Sequence, residues 1–190
     1  MLIKDFDFKE LFMFAKIVRV SAAPVMIAAT ALLTSAVAMA ADTSPFFDAA
    51  LCKPAYTTKA ASALYDEAEK VTKYQLVGAM AVYPLPEAVV KDGFSANAFV
   101  MAGTTYGVLV EGQKAEALAK AYQLTKEAPN PMIVATKSYV RVLADADQPS
   151  PETGRVAITA REAQGIPGKT LLSCEFTSLA DLEAMKAMAK

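Results

Sequence analysis

The sequence predicts an α+β domain with an antiparallel sheet of about six strands and two or three packed helices, placed after an N-terminal signal peptide. Two kinds of segment alternate along the chain: stretches with apolar residues at helical spacing, and nearly continuous apolar runs typical of buried strands. Clusters of glycine and proline separate these segments. The predicted order is helix, three strands, helix, three strands, helix.

The N-terminal segment has the layout of an export signal. A start with a net positive charge precedes an uncharged stretch at residues 20–41, which contains the small-residue triplet Ala38, Met39 and Ala40. We predict cleavage after Ala40, so that residues 1–40 are removed and the mature protein is periplasmic or secreted. The alternative is an uncleaved membrane anchor, because the stretch is 22 residues long and a helix needs about 20 to cross a bilayer.

The mature chain suits one domain. We expect residues 41–56 to form a strap and residues 57–190 to fold around a single core. Over the full sequence Lys and Arg nearly balance Asp and Glu, 19 against 20, and the basic residues are scattered. Nucleic-acid binding is therefore not expected, and contact with a membrane is expected only through the N-terminal segment if it stays uncleaved.

The first half of the domain opens with a helix. It begins at Thr57 or Thr58, whose hydroxyls can cap the free amides of the first turn. The apolar run at residues 75–83 predicts a buried strand that ends at Pro84, because proline lacks the N–H that a sheet requires. Residues 87–91 then predict a single helical turn.

A hairpin and a second set of elements follow. Apolar runs at 96–102 and 106–111 flank Gly103, which can adopt the backbone angles of a tight turn. The remaining predicted elements are a helix at 113–126, strand-forming residues at 132–143, a loop at 145–154, strands at 155–162 and 170–176, and a closing helix from Ser178. A helix followed by strands thus occurs twice, but the strands do not align in sequence, so we interpret the repetition as architectural.

Two cysteines occur, Cys52 and Cys174, one near each end of the mature chain. In an oxidising compartment an even count of two predicts one intramolecular disulfide. Free or intermolecular thiols are the alternative. A redox pair is disfavoured, because the close C-x-x-C spacing that lowers a thiol pKa is missing.

The composition excludes several kinds of catalysis. The chain has no histidine, which excludes Ser-His-Asp and Cys-His relays and histidine-ligated metals. The Gly168-Lys169-Thr170 segment fails as a phosphate loop, because Ala163 stands where that motif needs glycine. Met185 and Met188 have the spacing of packing residues, not of a copper site. We expect no catalytic residue, no cofactor and no metal.

The candidate binding residues lie in two proline-bounded segments, 83–94 and 145–154. Loops carry recognition because they lie on the surface while the neighbouring strands hold them in place. The candidates are Tyr83, Leu85, Phe94, Asp145 and Asp147. The two aspartates with Glu152 could also surround calcium, but the spacing of a calcium-binding loop is missing, so a solvated turn is the preferred interpretation.

These observations predict a non-catalytic, exported binding or protein-interaction module of the cell envelope, such as an inhibitor, an adaptor or a ligand-holding protein. Its partner would be another envelope protein or a small ligand. One alternative is a histidine-free periplasmic enzyme that uses Asp, Glu, Lys or Tyr, and another is a membrane-anchored accessory subunit. Two carboxylates converging in a cleft would favour the enzyme, whereas an exposed apolar patch would favour the interaction module.

Overall fold

The computed structural model describes residues 44–128 and 134–188. The helices are α1 (Ser44–Ala50), α2 (Thr58–Val71), α3 (Ala115–Tyr122) and α4 (Leu179–Met188). The strands are β1 (Gln75–Val77), β2 (Met80–Lys91), β3 (Phe94–Ala102), β4 (Thr105–Glu111), β5 (Thr125–Lys126), β6 (Lys137–Val142), β7 (Gly154–Glu162) and β8 (Lys169–Ser178). The predicted signal peptide and its cleavage site lie outside the described residues. No helix within the described ranges is long and apolar enough to span a bilayer.

The strands form one antiparallel sheet in the order β1-β2-β3-β4-β8-β7-β6-β5. The first four strands run up and down in sequence, and so do the last four. The two meanders meet where β4 pairs with β8, with Val108 opposite Leu172. The predicted α+β class with an antiparallel sheet is confirmed, but the sheet has eight strands in place of six, and α1 adds a helix before the first predicted one.

The two halves repeat one architecture. In the first half α2 precedes β1–β4, and in the second half α3 precedes β5–β8. The additional strands explain why the repetition was hard to detect in the sequence. Strand β1 has only three residues and β5 only two. Runs this short carry almost no periodic signal.

One face of the sheet holds the main core. Helices α1, α2 and α3 pack on this face, which we call the helix face, around residues such as Phe99, Val108 and Leu172. The Phe46 and Phe47 side chains of α1 are 1% and 0% exposed, and the Phe46 ring stacks on Phe99 with the centroids 4.5 Å apart. The segment predicted as a strap therefore contains a helix that fills the centre of the core.

The disulfide prediction is confirmed. Cys52 lies just after α1 and is bonded to Cys174 of β8, with Cα atoms 5.0 Å apart. Beside it, the Tyr106 hydroxyl donates to the Pro54 carbonyl at 3.2 Å, and the Tyr56 ring stacks on Tyr106 at 5.3 Å. These contacts fasten the turn after α1 to the two central strands.

The opposite side of the sheet, which we call the second face, carries a smaller apolar cluster. Ile166, from the turn between β7 and β8, packs there with Val100 and Leu109. Helix α4 also lies on this face, since its Leu182 and Met185 share a cavity with alternate residues of β7 and β8. The second face is therefore partly covered by elements from the end of the chain.

The prolines of β2 do not end the strand, as the sequence suggested. Strand β2 continues to Lys91, and the predicted helical turn at 87–91 is wrong, because these residues belong to a bulged strand. The register shifts between Pro84 and Val89. Strand β1 pairs only with residues 80–82, so the rest of β2 is an edge strand, where proline is tolerated.

Candidate functional site

The two predicted binding segments lie at opposite ends of the sheet. Phe94 begins β3 at the end where β8 starts, whereas the 145–154 loop finishes at Gly154, which pairs with Ser178 where β8 ends. The fold therefore does not bring them together into one surface. Their role in binding stays a prediction.

Tyr83 differs from its neighbours in accessibility. Its side chain is 1% exposed, and its ring lies 6.1 Å from that of Phe99, so in this structure it cannot supply the partner contact predicted for it. The physical reason is strand alternation, which turns Tyr83 towards the helix face. Leu85 and Phe94 are half-buried and pack against the same core, which leaves each only partly available.

Asp145 and Asp147 lie in an exposed 3₁₀ turn. No group of three or more acidic, cysteine or histidine side chains suited to a metal occurs in the described residues. The adjacent Gln148 holds the loop: its amide nitrogen donates to the Leu143 and Val156 carbonyls at 2.9 and 3.1 Å, and its oxygen accepts from the Val156 N–H at 2.8 Å. The sequence does not single out Gln148, because its partners become neighbours only after β6 and β7 pair.

An exposed apolar surface lies at the β1 edge of the sheet. We call it the edge patch: Tyr65 of α2, Tyr74, Leu76 and Val77, which are 45%, 47%, 72% and 37% exposed. The alternation of side chains along the strand places Tyr74 and Leu76 on the helix face, near Tyr65, and Val77 on the second face. Because β1 is the first strand in the sheet order, no described strand covers its outer backbone. Contiguous apolar patches on a folded surface often mark interaction sites.

The edge patch rests on the core. The Tyr74 ring lies 5.7 Å from that of Tyr83, which in turn packs on Phe99, which packs on Phe46. A chain of aromatic rings thus runs from the surface to the middle of the core. Aromatic side chains with few rotatable bonds lose little entropy when a partner docks on them.

An ion pair borders the patch. The Lys73 ammonium donates to the Glu69 carboxylate at 2.8 Å, which lowers the pKa of Glu69 and raises that of Lys73. Burial, followed by the nearby Glu69 carboxylate, raises the pKa of Tyr83 to about 12. The second Glu69 oxygen, Oε1, is buried without a hydrogen-bond partner among the described residues. The patch therefore has an apolar centre and a charged border, as interfaces commonly do.

The other sheet edges are protected. At the far side, β5 consists of Thr125 and Lys126, both exposed and polar, and lysine on an edge strand hinders pairing with another chain. The outer part of β2 contains Pro84 and Pro86, which lack a backbone N–H. Strand β1 has no charged residue and no proline. It is the edge on which an added strand meets the least obstruction.

A charged cluster on the second face brings two carboxylates together. The Arg161 guanidinium donates from Nη1 to Glu175 at 2.5 Å, from Nη2 to Glu127 at 3.2 Å and from Nε to the Ser138 hydroxyl at 3.0 Å. Each carboxylate is therefore engaged by the guanidinium. Hydrogen bonds between a guanidinium and carboxylates are charge-assisted and stronger than neutral ones.

The sequence contained one signal for the exposed edge. We predicted a single buried strand at residues 75–83, but Gly78 interrupts that run with a φ of 60° and turns the chain into a hairpin between β1 and β2. Leu76 and Val77 thereby move from the expected core to the rim of the sheet. No protein-family model, curated protein or solved structure matches this chain.

Proposed function

We propose that this chain is an exported, non-catalytic protein-interaction module of the cell envelope, which binds an extended segment of a partner protein along β1. The observation that carries the proposal is the edge patch, an apolar and aromatic surface beside an unprotected sheet edge. Such edges bind extended peptides by adding a strand. The backbone of the added strand supplies affinity, and its alternate side chains supply specificity.

The geometry supports a short partner segment. Three residues of β1 span about 10 Å at the rise of a strand, and β2 continues the edge only as a bulged, proline-containing strand. A stable homodimer needs about 800 Å² from each partner, more than four partly exposed side chains offer. A segment of another protein that places apolar side chains on Tyr65, Tyr74 and Leu76 fits this surface better.

Two further observations support the other parts of the proposal. The bond between Cys52 and Cys174 is compatible with a periplasmic or secreted location, because disulfides persist in oxidising compartments. The cluster at Arg161 favours interaction over catalysis, since its two carboxylates bind the guanidinium.

The test uses the protein isolated from the envelope as bait for solubilised envelope proteins. Leu76→Lys places a charge at the centre of the edge patch, and we expect it to abolish retention of the partner that the unchanged protein captures. Val134→Lys is the matched control, because Val134 is an exposed apolar residue, 82% accessible, outside the patch. Circular dichroism verifies that both variants are folded.

Hydrogen exchange distinguishes strand addition from simple apolar contact. On binding, the outward amides of β1 are expected to exchange at least about tenfold more slowly, because they become hydrogen-bonded. Exchange in β5 should not change. Equal retention of the partner by the Leu76→Lys variant, or unprotected β1 amides in the complex, would contradict the proposal.

A further inference from the structure

The hairpin that joins β1 to β2 fixes the direction of each backbone group in β1. Val77 pairs with Met80, so the loop between them has two residues, and Gly78 begins it with a φ of 60°. In a hairpin with such a loop, the residues that flank it exchange two hydrogen bonds, and bonded and non-bonded pairs alternate from there. Gln75 and Val77 thus direct their N–H and C=O groups to β2, and Leu76 directs its own away from it.

The backbone of Leu76 is therefore the point at which β1 can receive another strand. Its side chain is 72% exposed, and β1 is the first strand in the sheet order. No described group outside β1 and β2 hydrogen-bonds to the Leu76 N–H or C=O. The chain turns back at Gly78, so the edge ends two residues later. A single residue of a partner can satisfy both Leu76 groups.

The side chains beside this point differ between the two faces of the sheet. Leu76 is opposite Ala81, which packs on the main core, so both lie on the helix face. Gln75 is opposite Val82, which belongs to the smaller cluster of the second face. An added strand must therefore place two alternate side chains against apolar Tyr74 and Leu76. The side chain between these two lies beside the polar Gln75.

We propose that the partner segment adds to β1 as an antiparallel strand with the pattern apolar, polar, apolar, in which the first apolar residue forms both backbone hydrogen bonds with Leu76. In this orientation one residue supplies the N–H and the C=O. A parallel strand would supply them from the residues before and after, so three residues would have to be ordered. Proline is excluded opposite Leu76, because it lacks the N–H. This inference rests on the proposed function and adds the register and sequence pattern of the bound segment.

The test measures binding of fluorescein-labelled peptides to the full chain by fluorescence anisotropy. The reference peptide is Lys-Ser-Val-Thr-Val-Ser-Lys, and its matched control, Lys-Ser-Val-Val-Thr-Ser-Lys, has the same composition with the valines adjacent. We expect saturable binding of the reference peptide and about tenfold weaker binding of the control, because one valine moves away from the apolar face. Equal affinities of the two peptides, or no saturable binding of the reference peptide, would overturn the inference.

N-methylation of the reference peptide locates the backbone bonds. Methylation of the first valine removes the N–H that antiparallel pairing directs at the Leu76 carbonyl, and should weaken binding about tenfold. Methylation of the threonine is the matched control and should leave the affinity unchanged, because its N–H points to solvent in this register. Loss of binding on methylation of the second serine would instead indicate a parallel strand, and would also overturn the inference.

Two variants of the protein examine the same bonds from the other side. Leu76→Pro removes the outward N–H and no bond of the hairpin, and proline is tolerated at such an edge position. Leu76→Ala keeps the N–H and should bind the reference peptide about tenfold more tightly than Leu76→Pro. The methylated peptides keep the test valid if Leu76→Pro impairs folding. Partner capture that Leu76→Lys abolishes, combined with equal peptide affinities of folded Leu76→Pro and Leu76→Ala, would overturn this inference and leave the proposed function standing.

Discussion

Cys52 and Cys174 join the turn after α1 to a central strand of the sheet, with their Cα atoms 5.0 Å apart. The bond fixes the position of a helix that has only seven residues and would not be stable alone. Because α1 carries Phe46 and Phe47 into the core, the cross-link and the central packing depend on each other. The edge patch is connected to this arrangement through Tyr83, Phe99 and Phe46.

Removing the disulfide should destabilise the whole domain. We expect Cys52→Ser together with Cys174→Ser to lower the free energy of unfolding by about 2–5 kcal/mol, the range for a native bridge. The sequence separation of 122 residues favours the upper part of that range. Urea unfolding under non-reducing conditions measures the change. A urea midpoint equal to that of the unchanged protein would contradict the prediction that the disulfide stabilises the domain.

Gly107 should tolerate no side chain. A Cβ at this position would lie 2.2 Å from the Leu172 carbonyl oxygen and 2.7 Å from the Ser173 Cβ, because β4 and β8 approach closely there. We expect Gly107→Ala to cost at least about 1–3 kcal/mol of stability. Gly165→Ala is the matched control, since nothing lies within 4 Å of its Cβ position. In thermal unfolding, the midpoint temperature of Gly107→Ala should be clearly lower than that of Gly165→Ala.

Stability should fall at high pH because of buried tyrosines. Burial raises the pKa of Tyr83 and of Tyr106 to about 12, above the value of 10.0 expected in the unfolded chain. Between these values the unfolded state binds fewer protons than the folded state, so the free energy of unfolding decreases as pH rises from 10 towards 12. Tyr106→Phe should flatten this dependence, as measured by urea unfolding over the same pH range.

Export should leave Ala41 at the N-terminus. The triplet that ends at Ala40 has the small residues that signal peptidases require. N-terminal sequencing of protein from the envelope fraction measures this directly. A chain that still begins with Met1 would instead indicate the membrane anchor.

The sequence by itself determined the local features. With two cysteines only one intramolecular pairing exists, so the pairing of Cys52 with Cys174 could be predicted without coordinates. The helical spacing of apolar residues located α2, and of the two threonines that the sequence offered as its cap, the structure uses Thr57. Gly103 correctly marked the hairpin between β3 and β4. These features depend on residues that are close in sequence or on the number of cysteines, and both can be read from the sequence.

Only the tertiary structure decided which surfaces are exposed and which charges meet. Leu76 and Tyr83 belong to one apolar run, yet Leu76 is 72% exposed and Tyr83 is 1% exposed. Both side chains lie on the helix face, but Tyr83 packs on Phe99 in the main core, whereas Leu76 is on β1, the first strand of the sheet order, beyond that core. Likewise, Arg161 of β7 meets Glu127, which follows β5, across 34 residues, because β6 lies between these two strands and pairs with both. Periodicity predicts that a strand has two faces, but the number of its neighbours is a property of the whole sheet.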